Sequence, residues 1–146
     1  MTLIKVALVL VVGFAGLQAL FRLAPLPSAR LNARPGPMEP GVHPMTGGVK
    51  IVRPLSELPD GAFSSLLKIA AQTPRTERLG LTESPAAFVT RSSFWGFPDI
   101  TVIWVADDVL HLHSHLVFGK GDLGVNAARA ARWFEQLESG ATAGGS

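Results

Sequence analysis

The chain opens on an almost unbroken apolar run, Leu3 to Phe21 (LIKVALVLVVGFAGLQALF), interrupted only by Lys5 and Gln18. Nineteen residues rising about 1.5 Å each give roughly 28 Å of helix, close to the roughly 30 Å hydrocarbon thickness of a bilayer. The run predicts a transmembrane anchor over residues 1–22, a single pass with the bilayer as partner of residues 3–21. Lys5 lies one turn from its start, where its stem can snorkel to the headgroups. A cleaved signal peptide has the same outline, but cleavage needs small residues in an A-x-A-like arrangement. The best fit, Leu17-Gln18-Ala19, places leucine where a small residue belongs. A soluble core helix is the third reading.

The pattern then changes. Residues 23–48 carry Pro25, Pro27, Pro35, Pro37, Pro40 and Pro44 among glycines and small residues. Proline removes backbone donors and favours extended chain, so this stretch reads as a semi-rigid stalk, either free or lying against the C-terminal part of the chain.

From residue 49 the apolar positions become periodic. Val49 to Arg53 reads as a strand. Asp60 is placed to cap a helix whose stripe is Phe63, Leu66, Leu67, Ala70 and Ala71, ended by Thr73-Pro74. Glu77–Leu81, Ala87–Phe94, Ile100–Val105 and Val109–Phe118 read as strands, the last two joined by a tight turn at Asp107-Asp108. Asp122 is placed to cap a final helix with Leu123, Ala127, Ala130, Phe134 and Leu137 on one face. The order β-α-β-β-β-β-α predicts an α+β domain over residues 49–139, an antiparallel sheet with both helices on one face. Residues 140–146 (GATAGGS) read as a flexible tail.

Composition sharpens this outline. A chain of 146 residues has room for one domain. Its mean hydropathy of +0.31 is high for a soluble globule, and much of the excess lies in Leu3–Phe21. The absence of cysteine excludes a disulfide framework and a lipid-bearing N-terminal cysteine. A net charge of +2 without a lysine or arginine cluster argues against nucleic acid as a partner.

Three stretches carry candidate chemistry. His111, His113 and His115 alternate along one predicted strand, so their imidazoles share a face about 6.6 Å apart from one to the next. Neighbouring pairs could share a metal, and a third ligand would resemble a zinc hydrolysis site. The outer two, about 13 Å apart at their roots, cannot converge without a bend. The competing reading is an open sheet face, with Leu110, Leu112, Leu116 and Phe118 on the buried side. Gly119 to Asn126 looks at first like a phosphate loop, but it lacks the Lys-Ser/Thr pair and carries Asp122 where an anion would dock. It reads instead as a turn allowed by Gly119 and Gly121, with Gly124 letting the helix approach the sheet. Asn126 and Arg129, three apart on that helix, form with Trp133 either a pocket edge or a hydrogen-bonded anchor.

The third stretch, Phe94-Trp95-Gly96-Phe97-Pro98-Asp99, links two strands. It reads as a plug at one end of the core, or as a ligand or partner surface beside the membrane. Arg91 could pair with Asp99 or Asp122. No G-x-S-x-G, H-E-x-x-H or paired acidic motif is present, and a cysteine nucleophile is excluded.

These residues carry a resemblance. From about Pro74 to Leu137 the chain resembles a bacterial family named only as domain of unknown function 1499. The similarity runs through Thr73-Pro74-Arg75-Thr76 and Phe97-Pro98-Asp99, and most clearly through Gly119 to Arg129. The family pattern of serine and arginine, a glycine, Asp-x-Gly-x-Asn and a downstream arginine falls on Ser114, His115, Gly119, Asp122, Gly124, Asn126 and Arg129. Arg22-Leu23-Ala24-Pro25 is similar to the segment after the membrane span in a subgroup. Two departures stand out: His115 occupies the usual arginine position, and the Pro-Asn-Cys motif of many members is absent. The resemblance implies a fold and an envelope association, not a reaction.

The expectation is therefore a membrane-anchored, non-enzymatic binding or accessory domain without a cofactor. Its candidate surface is Arg91, Asp99, His115, Asp122, Asn126 and Arg129, and its partner is a protein or another envelope component. The alternative is a metal-dependent or acid-base enzyme using the His111, His113, His115 row. The expected location is the bacterial inner membrane. Arg22, Arg30 and Arg34 after the span, against Lys5 and the terminal amine before it, favour a cytoplasmic domain. A short N-terminal tail and the envelope-associated relatives favour the periplasmic side, which is the one expected here.

Overall fold

A computed structural model of the chain describes residues 1–140; the rest of the expected tail, 141–146, lies outside the described residues. The apolar run forms helix α1, Thr2–Leu23, none of whose residues is buried. A core helix would bury its side chains against the domain, so that reading is excluded. A single helical turn, α2 (Ser28–Leu31), interrupts the proline-rich stretch that comes after it.

The domain is a six-stranded antiparallel sheet in the order β1-β2-β6-β5-β4-β3. Its strands are β1 (Gly41–Met45), β2 (Gly48–Pro54), β3 (Thr76–Leu79), β4 (Ala86–Arg91), β5 (Pro98–Ala106) and β6 (Val109–Leu116). Helix α3, Ala62–Gln72, follows β2, and helix α4, Val125–Ser139, follows β6. The α+β architecture is the one the pattern predicts, with one strand added. The proline-rich stretch supplies β1, which pairs only with β2 and lies at the sheet edge, where Pro44 needs no ladder donor. β5 and β6 turn through Asp107 and Asp108 at φ of 51° and 58°, the left-handed pair of a tight hairpin.

The sheet buries both faces. On one side α3 and α4 cover Val49, Ile51, Phe88, Ile103, Leu110 and Leu112. On the other, Leu26 and Leu31 pack over Ala87, Ile100, Val102 and Trp104. The stretch expected as a stalk is thus a strap across the second face. Arg30 donates to Leu116 O at 2.9 Å, and Lys50 Nζ donates to Pro35 O at 2.7 Å while lying 4.0 Å from the Trp104 ring centre.

Four local expectations are corrected. Asp60 does not cap α3, which starts after Gly61 in a left-handed conformation without a side-chain cap. The buried stripe of α3 is Ala62, Leu66, Ile69 and Ala70, so Ile69 replaces the exposed Ala71. Leu123 is fully exposed, because α4 begins only at Val125 and buries Asn126, Arg129, Ala130, Trp133, Phe134 and Leu137. Gly124 has open space around it and is needed for its φ of 77°, not for a close approach.

Candidate functional site

The end of α4 nearest the sheet carries a connected set of polar side chains. Asp122, two residues before the Gly124 N-cap, accepts from the backbone N–H of Gly124 at 3.1 Å and of Asn126 at 2.9 Å. It caps the first turn from upstream. Burial would raise its pKa, but these bonds and the one from the Asn126 side chain outweigh that and hold it below the ordinary carboxylate range.

Asn126 is fully buried and joins three elements. Its Nδ2 donates to Asp122 Oδ2 at 2.9 Å, while its Oδ1 accepts from Ser114 Oγ at 2.6 Å and from Arg129 Nη1 at 2.9 Å. Arginine can only donate, so the amide orientation is fixed by its neighbours. Ser114 Oγ also lies 2.7 Å from Thr101 Oγ1 on β5. Arg129 completes the chain with an ion pair to Asp99 Oδ2 at 3.0 Å, both side chains largely buried. Asp99, Asp122, Asn126 and Arg129 are therefore brought together, with Thr101 and Ser114 as members that periodicity does not single out.

The other two expected residues lie outside this hydrogen-bonded set. Arg91 Nη1 donates to Phe21 O at 3.3 Å and Gly96 O at 3.2 Å, tying the end of α1 to the β4–β5 loop instead of pairing with Asp99 or Asp122. His115 is on the opposite sheet face. Its Nδ1 lies 2.7 Å from Leu116 O and its Nε2 2.8 Å from Thr46 O.

The histidine row does not face open solvent. His111 is 1 % exposed and stacks on Trp104, and His113 stacks on His115 with ring centres 5.9 Å apart. The strap lies over His113 and His115, which line a cavity with Arg30, Ala33 and Pro35. Burial, then the charges of His115, Lys50 and Arg30, push His113 down to about 4. Burial lowers Lys50 to about 8. Among the described residues no three His, Cys, Asp or Glu side chains converge as metal ligands.

Beside the Asn126 network opens a groove of about 550 Å³ between one face of α4, the α3–β3 turn and the ends of β4 and β5. Its walls include Arg75, Arg91, Asp99, Arg129, Arg132 and Trp133. Arg129 is occupied by Asp99 and Asn126, whereas Arg132 is exposed and Arg75 uses only Nε, on Arg91 O at 3.1 Å. A second cavity of about 290 Å³, lined by Arg22, Arg75, Glu77 and Arg91, continues toward the end of α1. Five guanidiniums thus face two carboxylates, Asp99 and Glu77, along one stripe. That exceeds the +2 excess of the whole chain. The stripe is assembled by folding from arginines spread over more than a hundred positions, so no basic cluster marks it in the sequence.

The sequence pattern of a family described as "Protein of unknown function (DUF1499)" matches residues 44–137. No curated protein and no solved structure is matched.

Proposed function

The chain belongs to the DUF1499 family of unknown function, and from its own geometry we propose a membrane-anchored binding domain that holds an anionic group of an envelope component. The observation that carries this reading is the arginine-lined groove, in which Arg75 and Arg132 offer unspent N–H groups to a phosphate or carboxylate. Asp99, Asp122, Asn126 and Arg129 act as the scaffold that fixes the groove floor. Helix α1 supports the anchor: it has 22 residues, a mean hydropathy of 2.2 and no fully buried residue. As part of this proposal the domain lies on the periplasmic side of a bacterial inner membrane.

The test uses the full chain in phosphatidylcholine nanodiscs, titrated calorimetrically with pyrophosphate and, separately, doped with phosphatidylglycerol. Binding of either probe should weaken with salt. It should fall roughly tenfold or more in an Arg75→Ala/Arg132→Ala variant, since each charged hydrogen bond contributes about 1.5 kcal/mol or more. Both side chains are exposed, so melting should be unchanged. Absence of binding, or equal binding in the variant, overturns the proposal. Response to pyrophosphate alone points to a soluble or polymer-borne phosphate, and response to the doped discs points to a lipid headgroup.

A further inference from the structure

Helix α1 does not leave the domain cleanly at Leu23. The β4–β5 loop climbs back along it for two turns. Phe14 packs on Phe94 and Trp95 with ring centres 5.4 and 5.1 Å apart, and Gln18 Nε2 donates to Phe94 O at 2.7 Å. One turn on, Phe21 packs on Phe97 at 4.6 Å and on Phe118 at 5.8 Å. Gly96, at φ 75°, lies so close to the Arg22 side chain that a Cβ there would be 2.6 Å from Arg22 Cγ. A side chain there would have to displace that of Arg22 and adopt a left-handed backbone.

Helix geometry turns these contacts into a depth. Phe14 precedes Arg22 by eight residues, about 12 Å along the axis. The part of α1 that extends past the loop, Leu3 to Phe14, measures only about 17 Å, little more than half a hydrocarbon core. For α1 to span, the layer from Phe14 to Phe21 must also be inside the membrane, and what touches Phe14 goes with it. We propose that the loop Ser92–Phe97 is inserted in the leaflet that α1 leaves, with Phe94 and Trp95 among the acyl chains and Arg22 and Arg91 at headgroup level.

The loop is built for this. Phe94 is 59 % exposed to water in the isolated chain, and Phe118 beside α1 is 41 % exposed. Phenylalanine and tryptophan bring the large apolar area that an acyl environment accommodates. Part of the loop backbone, which lipid could not satisfy, is closed internally: Ser92 N donates to Phe97 O, Gly96 N to Ser92 O, and Phe97 N to Ser92 Oγ. Arg91 spans the last carbonyl of the insertion layer and the loop, with its donors on Phe21 O and Gly96 O. The occupant of this aromatic foot is the bilayer itself, because the foot is continuous with the surface of the span. Insertion would also hold the arginine stripe at the headgroup plane.

The inference rests on α1 being a span, and one preparation tests both. The chain has no cysteine, so a spin label at Phe94→Cys is unique, and Ser64→Cys on the exposed face of α3 is the control. Full-length chain in phosphatidylcholine nanodiscs should show position 94 relaxed by oxygen with loss of broadening by a water-soluble nickel chelate, and position 64 the reverse. Trp95 should be quenched by brominated acyl chains, and that quenching should disappear in Trp95→Phe, since Trp104 and Trp133 are buried in the core. Nickel broadening at position 94 in chain that resists alkaline carbonate overturns the inserted loop and leaves the span standing. Shielding of position 94 from both reagents means a protein covers the foot and also overturns it. Release by carbonate overturns the span and the inserted loop together.

Discussion

Asn126 shows how much rests on one side chain at the residue scale. It is fully buried and satisfies Ser114, Asp122 and Arg129 at once. Asn126→Ala leaves a buried hydroxyl, a carboxylate and a guanidinium short of partners, and should cost about 2–3 kcal/mol in urea unfolding. Arg129→Ala strands the Asp99 carboxylate and should cost about 3–5 kcal/mol by the same measurement. His113 gives a pH dependence of fixed sign. Its folded pKa is about 4, below the ordinary 6.5, so the unfolded chain takes up the proton first. Stability is full above about pH 6.5, falls as pH drops toward 4 and levels off below. Thermal melting in this window should lose much of that slope in His113→Gln.

At the scale of elements, the β5–β6 hairpin and the start of α4 behave differently. Both central residues of the hairpin turn are aspartates in the left-handed region. Replacing Asp107-Asp108 by Asn-Gly should stabilise the domain by about 0.5–1 kcal/mol in denaturant unfolding, because glycine adopts that conformation without a Cβ penalty. That turn was legible in the sequence. Ala127, Ala130, Phe134 and Leu137 of the α4 face were legible too, but its start was not, for a definite reason: its first buried positions are Asn126 and Arg129. A pattern read from apolar residues skips them and takes the exposed Leu123 instead. Asp122 as a cap was readable, but not that it acts from two residues upstream of the N-cap. The extra strand β1 was hidden by Pro44, which lowers strand propensity except at an edge.

At the scale of the whole molecule, the strap, the sheet and α1 form a continuous unit. Residues 24–37 close the second sheet face, and the β4–β5 loop grips α1. The strap bears on the histidine row: His113 and His115 share a cavity with Arg30, Ala33 and Pro35, some eighty residues away in sequence. Leu31→Asp should uncover that face, lower the melting temperature by several degrees, since each kcal/mol shifts a domain of this size by about 4–8 °C, and bring His113 closer to an ordinary titration by NMR. A reporter active only outside the cytoplasm, fused after Ser146, should be active if the domain is periplasmic.

The sequence by itself determined the apolar helix, the α+β class, the hairpin at Asp107-Asp108 and the family, because each is written in local periodicity, turn chemistry or contiguous motif. Tertiary structure alone decided which polar residues meet. Arg91 and His115 make their hydrogen bonds outside the Asn126 network, Thr101 and Ser114 belong to it, and five scattered arginines, Arg91 among them, became one stripe. The reason is that a strand offers two faces and a helix end can start a turn later, so the partners of a buried polar group depend on register and packing across the sheet. The groove and the aromatic foot exist only at that level.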